Sequence, residues 1–225
     1  MKCVLIIPAA GIGSRFDSKI PKQFTKLEGK EIIIHTVERF SNMNEIDSIV
    51  IASQKEYFKK IIRLLLKYGI KKSAKIVAGG KERHDSVYNA LLNSGCEKGD
   101  IVLIHDSVRP FVSEKLIKKL IQTAIKYKAV IPVIPLNDTI KEVKNNTIVR
   151  TILREKFKRA QTPQAFEYST LLNAFACAKK TKFIGTDEAS VAEYNKIKVK
   201  VIDGELTNIK ITQKSDLKYY HSRSF

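Results

Sequence analysis

The chain has 225 residues, 44% of them hydrophobic and 28% charged, with a formal net charge of +18. That length and composition suit one large α/β domain, residues 1–225, and exclude a disordered or fibrous chain. No apolar run reaches the ~18 residues of a membrane span, so no membrane partner is expected.

The first element is the apolar run Val4-Leu5-Ile6-Ile7 behind Lys2. It imitates a signal peptide but falls short of the ~7–15 residues such a core needs, and a Gly/Arg loop follows at once. It reads instead as a strand buried on both faces of a parallel sheet. The loop after it carries Gly11 and Gly13, whose lack of a Cβ lets backbone N–H groups approach an anion. Two cations follow, Arg15 and Lys22, the second stiffened by Pro21. Phe16 stands where a dinucleotide fingerprint needs its third glycine, and Gly29-Lys30 and Gly80-Lys81 are each followed by Glu rather than Ser or Thr. Both the dinucleotide and the Walker readings therefore fail, and the loop reads as a nucleotidyltransferase's, with Arg15 and Lys22 meeting charge that grows on a triphosphate. The competing reading is a tight strand–helix turn with two solvated cations.

Apolar periodicity predicts a helix over 31–40, a strand over 46–52, a helix over 56–66 and a strand over 74–78. The last of these runs into Gly79-Gly80-Lys81-Glu82-Arg83-His84-Asp85-Ser86 and a helix to Leu92, repeating the order strand, glycines, cation, helix. This alternation predicts a doubly wound, mostly parallel sheet of Rossmann-like type, with ligands at the carboxyl ends of its strands. A strand over 101–104 delivers Asp106 to such an end. A carboxylate there suits Mg²⁺, which takes one or two carboxylates plus phosphate oxygens. Arg109, three residues on, suits a phosphate or hydroxyl. Alternatively, Asp106 caps the helix that starts at Ser113, with Arg109 as its surface partner. His105 reads as a packed strand-end residue.

A strand is predicted over 129–135, after which 137–143 and 147–151 alternate like a two-stranded hairpin, part of an arm over 137–158. An isolated hairpin is marginal alone, so it is expected to pack on something, plausibly a second subunit. Helices are predicted over 168–177 and from Thr186-Asp187-Glu188-Ala189-Ser190, strands over 199–202 and 208–212, and a last helix over 213–220. The three cysteines, Cys3, Cys96 and Cys177, lack metal-ligand spacing and read as reduced thiols of a cytoplasmic protein. The lysines are spread over nearly every helix, as at Lys59-Lys60 and Lys118-Lys119, rather than gathered into an arm. No nucleic-acid partner is therefore expected, although a basic binding module is the rival from another class; a basic surface also steers anionic substrates.

Seven motifs occur in order: Ala-Ala-Gly-x-Gly-x-Arg with Pro-Lys-Gln, Gly-Gly-x-x-Arg-x-x-Ser-Val, His-Asp-x-x-Arg-Pro, Asp-Thr-Ile-Lys, Thr-Pro-Gln-x-Phe, Thr-Asp-Glu-Ala-Ser and Asn-Ile-Lys-Ile-Thr. From Ile6 to about Leu217 the chain thereby resembles the 2-C-methyl-D-erythritol 4-phosphate cytidylyltransferase family. The resemblance implies CTP as co-substrate with Mg²⁺, and Arg15 and Lys22 at the α-phosphate. It implies that Ala9, Ala10, Gly11, Gly80 and Ser86 lie against the cytidine, with Arg83 in the same loop. Asp106 would serve both the metal and the substrate hydroxyls, while Arg109, Thr139 and Lys210 would hold methylerythritol phosphate. The arm would be exchanged across a homodimer, bringing Arg154, and near it Thr162 and Thr186, towards the acceptor phosphate in the neighbouring site. Ser107-Val108 and Phe111 instead resemble sister enzymes that cytidylylate ribitol 5-phosphate for teichoic acid. Lys141 and Asp187-Glu188-Ala189-Ser190 lean back to the isoprenoid enzymes.

Overall fold

The opening apolar run forms β1 (Cys3–Pro8) in the computed structural model, which describes residues 1–11 and 20–217. Gly13 and Arg15 lie outside the described residues. A small turn of β2 (Lys26–Leu27) and β3 (Lys30–Glu31) leads into α1 (Ile32–Ser41), β4 (Ser48–Ser53), α2 (Phe58–Lys67), β5 (Ala74–Ala78), α3 (Arg83–Leu92) and β6 (Ile101–Ile104). Then come α4 (Glu114–Tyr127), β7 (Ala129–Pro135), the hairpin β8 (Ile140–Lys144) and β9 (Thr147–Ile152), β10 (Lys158–Ala160), β11 (Gln164–Glu167), α5 (Tyr168–Lys180), α6 (Glu188–Tyr194) and β12 (Lys200–Asp203).

Strands β5, β4, β1 and β6 run parallel in that order. The pleat sends alternate residues of each to opposite faces. Cys3, Leu5 and Ile7 of β1 join Phe40 of α1, Ile61 of α2 and Leu120 of α4 in one apolar cluster. Val4 and Ile6 join Val87 of α3, Phe175 of α5 and Val191 of α6 in another. Helices thus cover both faces, and the doubly wound α/β reading holds.

Two features depart from the sequence expectations. Strand β11 was not foreseen; it inserts antiparallel between β6 and β7 at the centre of the sheet. It continues β10, which also pairs antiparallel with β7, after a register slip at 161–163, where the Thr162–Pro163 peptide is cis. Parallel β12 pairs with β7 as well. Residues 208–212, expected as a strand, instead form a strap. Only Ile211 N–H, donating to the Val108 carbonyl at 2.9 Å, ties it to the β6 loop through the backbone. Side chains do the rest: Asn208 Nδ2 donates to the Thr162 carbonyl, and Gln161 Nε2 donates to the carbonyls of Glu205 and Asn208. The helix expected over 213–220 is a single 3₁₀ turn, Lys214–Leu217, as far as the described residues extend.

The hairpin β8–β9 forms its own two-stranded sheet, with a bulge between Glu142 and Val143. Val143, Ile148, Val149, Leu153 and Phe157, on or just after it, are all exposed.

Candidate active site

The carboxyl ends of β1, β5 and β6 converge on a cleft of about 460 Å³. The loop after β1 supplies Ala9, Ala10 and Gly11; the β5–α3 loop supplies Gly80, Arg83 and Ser86; the loop after β6 supplies Asp106. Lys22 and Lys210 also line it. These residues come from five segments, and the sheet topology brings them to one edge.

Local hydrogen bonds explain the shape of the loops. Buried Gln23 donates from Nε2 to the carbonyls of Ala9 (2.7 Å) and Gly11 (3.2 Å), and Gln54 does the same to Ala10 (2.9 Å). Three successive carbonyls are thereby anchored, which fixes the backbone that a phosphate or ribose would meet. Neither glutamine was singled out from sequence; Gln23, beside Lys22 in Pro-Lys-Gln, offered the only cue. Gly79 is required for close approach, since a Cβ there would lie 2.3 Å from that of Ala10. Ser86 Oγ accepts from Gly80 N–H at 3.0 Å and donates to the Glu82 carbonyl, so the second loop closes on the first turn of α3. A reciprocal capping box between Glu82 and Asp85 starts that helix.

Asp106 sits 7% exposed among three cations. Its Oδ1 accepts from Arg83 Nε at 3.3 Å; its Oδ2 meets Arg109 Nε at 3.3 Å and Lys210 Nζ at 2.9 Å. Burial opposes its ionisation, but Arg83, Lys210 and Arg109 outweigh that and hold the carboxyl well below the usual carboxylate range. Arg109 is tied in turn to the Asn208 carbonyl through Nη1 at 2.7 Å. The reading of Asp106 as a cap for the helix at Ser113 is therefore wrong. Ser113 caps α4 itself, accepting from Leu116 N–H at 3.1 Å.

His105 is more than a packed residue. It is fully buried, its ring 4.9 Å from that of Phe40. Nε2 lies 2.9 Å from the Arg109 carbonyl, which can only accept, so Nε2 carries the proton. Nδ1 must then accept from Thr162 Oγ1 at 3.1 Å, and Thr162 Oγ1 accepts from Asp106 N–H at 3.1 Å. A neutral imidazole thus joins the Asp106–Arg109 turn to the bulge before β11. Burial pushes its pKa down to about 4.

A smaller cavity of about 130 Å³ lies behind Asp106, lined by Arg109, Thr162, Gln164 and Thr186 and sharing Arg83, Asp106 and Lys210 with the cleft. Thr139 and Arg154 line neither space. They are exposed at the base of the hairpin, where Arg154 Nη1 donates to the Asn137 carbonyl. One polar wall of Arg83, Asp106 and Lys210 thus borders both spaces.

The family model described as IspD, 2-C-methyl-D-erythritol 4-phosphate cytidylyltransferase, matches residues 3–221. The chain belongs to that family. A 2-C-methyl-D-erythritol 4-phosphate cytidylyltransferase from Clostridioides difficile is 44% identical over 218 residues, covering 95% of this chain and 90% of its own. One from Bacillus mycoides is 42% identical over 95% of this chain and 93% of its own. The Francisella tularensis family member superposes with a TM-score of 0.85 at 33% identity, covering 99% of both chains. As a cytidylyltransferase the protein is an enzyme with CTP as co-substrate.

As a cofactor held by protein ligands alone, Mg²⁺ does not fit the site. No group of three or more His, Cys, Asp or Glu side chains that could hold a metal occurs among the described residues, and both Asp106 oxygens already face cations. Among the described residues, no helix is long and apolar enough to cross a membrane.

Proposed function

We infer that the protein transfers the cytidylyl group of CTP to 2-C-methyl-D-erythritol 4-phosphate, releasing pyrophosphate in isoprenoid precursor synthesis. The observation that carries the reading is the position of Asp106, gripped by Arg83, Arg109 and Lys210 on a wall common to the nucleotide cleft and the small cavity. Family membership names the acceptor. Ser107-Val108, which pointed towards ribitol phosphate, do not line the small cavity. Val108 packs with Leu27, Ile32 and Ile211, and the Ser107 carbonyl accepts from Thr36 Oγ1 at 3.0 Å.

In the proposed step a phosphate oxygen of the acceptor attacks the α-phosphorus of CTP. A P–O bond forms there as the bond to the β-phosphate breaks, and the electron pair leaves with pyrophosphate. The second pKa of an alkyl phosphate is about 6, so near neutral pH the nucleophile needs no general base. Two anions must be brought together, and cations offset their repulsion. Lys22, with Arg15 from the adjoining sequence, is assigned to the α-phosphate. Ala9, Ala10, Gly11, Gly13, Gly80 and Ser86 are assigned to the nucleotide. Asp106 receives an acceptor hydroxyl, and Arg109 and Lys210 frame the acceptor beside Thr162 and Thr186. A divalent ion such as Mg²⁺, arriving with the triphosphate, would supply neutralisation of phosphate charge.

Arg154 and Thr139 complete the acceptor site from a second subunit, with the arm over 137–158 exchanged in a homodimer. Its support is the exposed apolar row on a hairpin that has no sheet neighbour among the described residues. The buried, unpaired thiols of Cys3 and Cys96 suit the reducing cytoplasm.

The test is pyrophosphate release with CTP and Mg²⁺, run in parallel with methylerythritol 4-phosphate and ribitol 5-phosphate. Preference for the first is expected. Preference for ribitol phosphate, or release with neither, overturns the acceptor.

A further inference from the structure

Of the three cations around Asp106, Arg83 alone reaches a second carboxylate among the described residues. Its Nη1 donates to Glu188 Oε1 at 2.6 Å and its Nη2 to Oε2 at 3.2 Å, while Nε faces Asp106 Oδ1 at 3.3 Å. Glu188 opens α6 with its side chain 1% exposed. It does not cap that helix, because Asp187 accepts from Ser190 N–H at 2.9 Å in a capping box. Nor does it hold the next turn, since Ala189 N–H donates to Gln164 Oε1 at 2.9 Å. A carboxylate buried this deeply needs a compensating partner, and here the partner is the Arg83 fork.

The geometry matters because Arg83 stands in the wall between the two cavities. An ionised carboxylate offers about four lone-pair sites. Among the described residues, two cations crowd Oδ2 of Asp106, whereas Oδ1 faces the single Nε of Arg83. By that count Oδ1 has a lone-pair site for a further donor, and Asp106 lines the small cavity.

We propose that Glu188 is a positioning residue for cytidylyl transfer, holding the Arg83 fork away from Asp106 so that Oδ1 keeps a lone pair for a hydroxyl of the acceptor. This rests on the reading of the small cavity as the acceptor site. Without the Glu188 charge, the guanidinium turns its fork onto the remaining acid in reach, and the paired geometry that arginine favours with carboxylates fills Oδ1. The bonds from Gln23, Gln54 and Ser86 that anchor the backbone of the nucleotide loops involve neither Arg83 nor Glu188.

The experiment is steady-state kinetics with CTP and methylerythritol 4-phosphate on the wild type, Glu188→Gln, Glu188→Asp, Arg83→Gln and the Arg83→Gln/Glu188→Gln double variant, each with a thermal melt. Glu188→Gln is expected to raise KM for the acceptor about tenfold, the scale of losing an outer hydrogen-bonding partner, and to leave KM for CTP within about twofold. Glu188→Asp, which keeps the charge but retracts it, falls between. In the Arg83→Gln background the Glu188 change adds nothing to the acceptor KM. An unchanged acceptor KM, an equal rise in both KM values, or a full penalty in the Arg83→Gln background overturns the proposal. If Glu188→Gln does not fold, the Asp variant decides by the same KM criterion. A wild type that releases no pyrophosphate defeats the functional reading, whereas an active wild type matched by its Glu188 variants defeats only the role of Glu188.

Discussion

Asp106 and Arg154 are both assigned to the acceptor, yet they occupy opposite surroundings. Asp106 is buried at a strand end, with three cations on its carboxylate and its own N–H held by Thr162. Arg154 is exposed just after a hairpin that has no other sheet neighbour among the described residues, and its guanidinium reaches the carbonyl of Asn137 in the same arm. The first group is preorganised within the chain. In the proposed assembly the second gains its setting only when the arm docks, so that half of the acceptor site is built by folding and half by assembly.

The largest expected effect lies on the built side. Lys22→Met is expected to lower kcat about a hundredfold, the usual scale for removing one charge-stabilising donor, with KM for the acceptor little changed. A loss confined to KM would remove Lys22 from the reacting phosphate. On the assembled side, Arg154→Ala is expected to raise KM for the acceptor about tenfold while KM for CTP holds. Mixing Lys22→Met and Arg154→Ala subunits sharpens the contrast. If the arm acts in trans, an equimolar mixture recovers about a quarter of wild-type activity, since about half of its dimers are mixed and one of the two sites in each of those is whole. No recovery would place Arg154 in its own chain's site.

A third effect concerns stability in acid. The His105 ring protonates near 6.5 in the unfolded chain but only at about 4 when folded, so between those values the unfolded state binds more protons. Stability is therefore full above pH 6.5 and falls as pH drops towards 4, by on the order of 3 kcal/mol from this ring. The Glu167 carboxyl acts lower down. Burial opposes its ionisation, but hydrogen bonds from Thr170, Gly99 and Ser169 hold it at about 2, so its contribution is lost below pH 4.5. Melting temperatures across pH 7 to 4 check this, and a flat profile would contradict the neutral, fully bonded ring. The smallest effect is that of Ser86→Ala. Losing the hydroxyl that accepts from Gly80 N–H costs about 1 kcal/mol, read as a roughly fivefold rise in KM for CTP.

The nucleotide half was largely legible in the sequence because each piece follows one local rule, a buried strand that breaks into glycines or an acid at its carboxyl end. Gly11, Gly80 and Asp106 came from that pattern, Ala9, Ala10 and Ser86 from the family resemblance, and all of them meet in one cleft. What was not legible depends on contacts between distant segments. Strand β11 lacks alternation because it is buried on both faces between β6 and β7, and Pro163 interrupts the approach to it. The strap over 208–212 alternates like a strand but is held by the side chains of Asn208 and Gln161 rather than by a ladder. Glu188 stood in the sequence only as part of a predicted helix start; the fold shows that its carboxylate turns inward to Arg83. His105 has no local signature at all, since its partners Arg109 and Thr162 define its role.

The most direct measurement is ³¹P NMR of the enzyme incubated with CTP, Mg²⁺ and equal amounts of methylerythritol 4-phosphate and ribitol 5-phosphate. The expected spectrum shows a new diphosphate diester with two coupled phosphorus signals, growing in step with pyrophosphate while the methylerythritol phosphate signal falls. Consumption of ribitol phosphate instead, or conversion of CTP to CMP with no diester, would contradict cytidylyl transfer to methylerythritol phosphate.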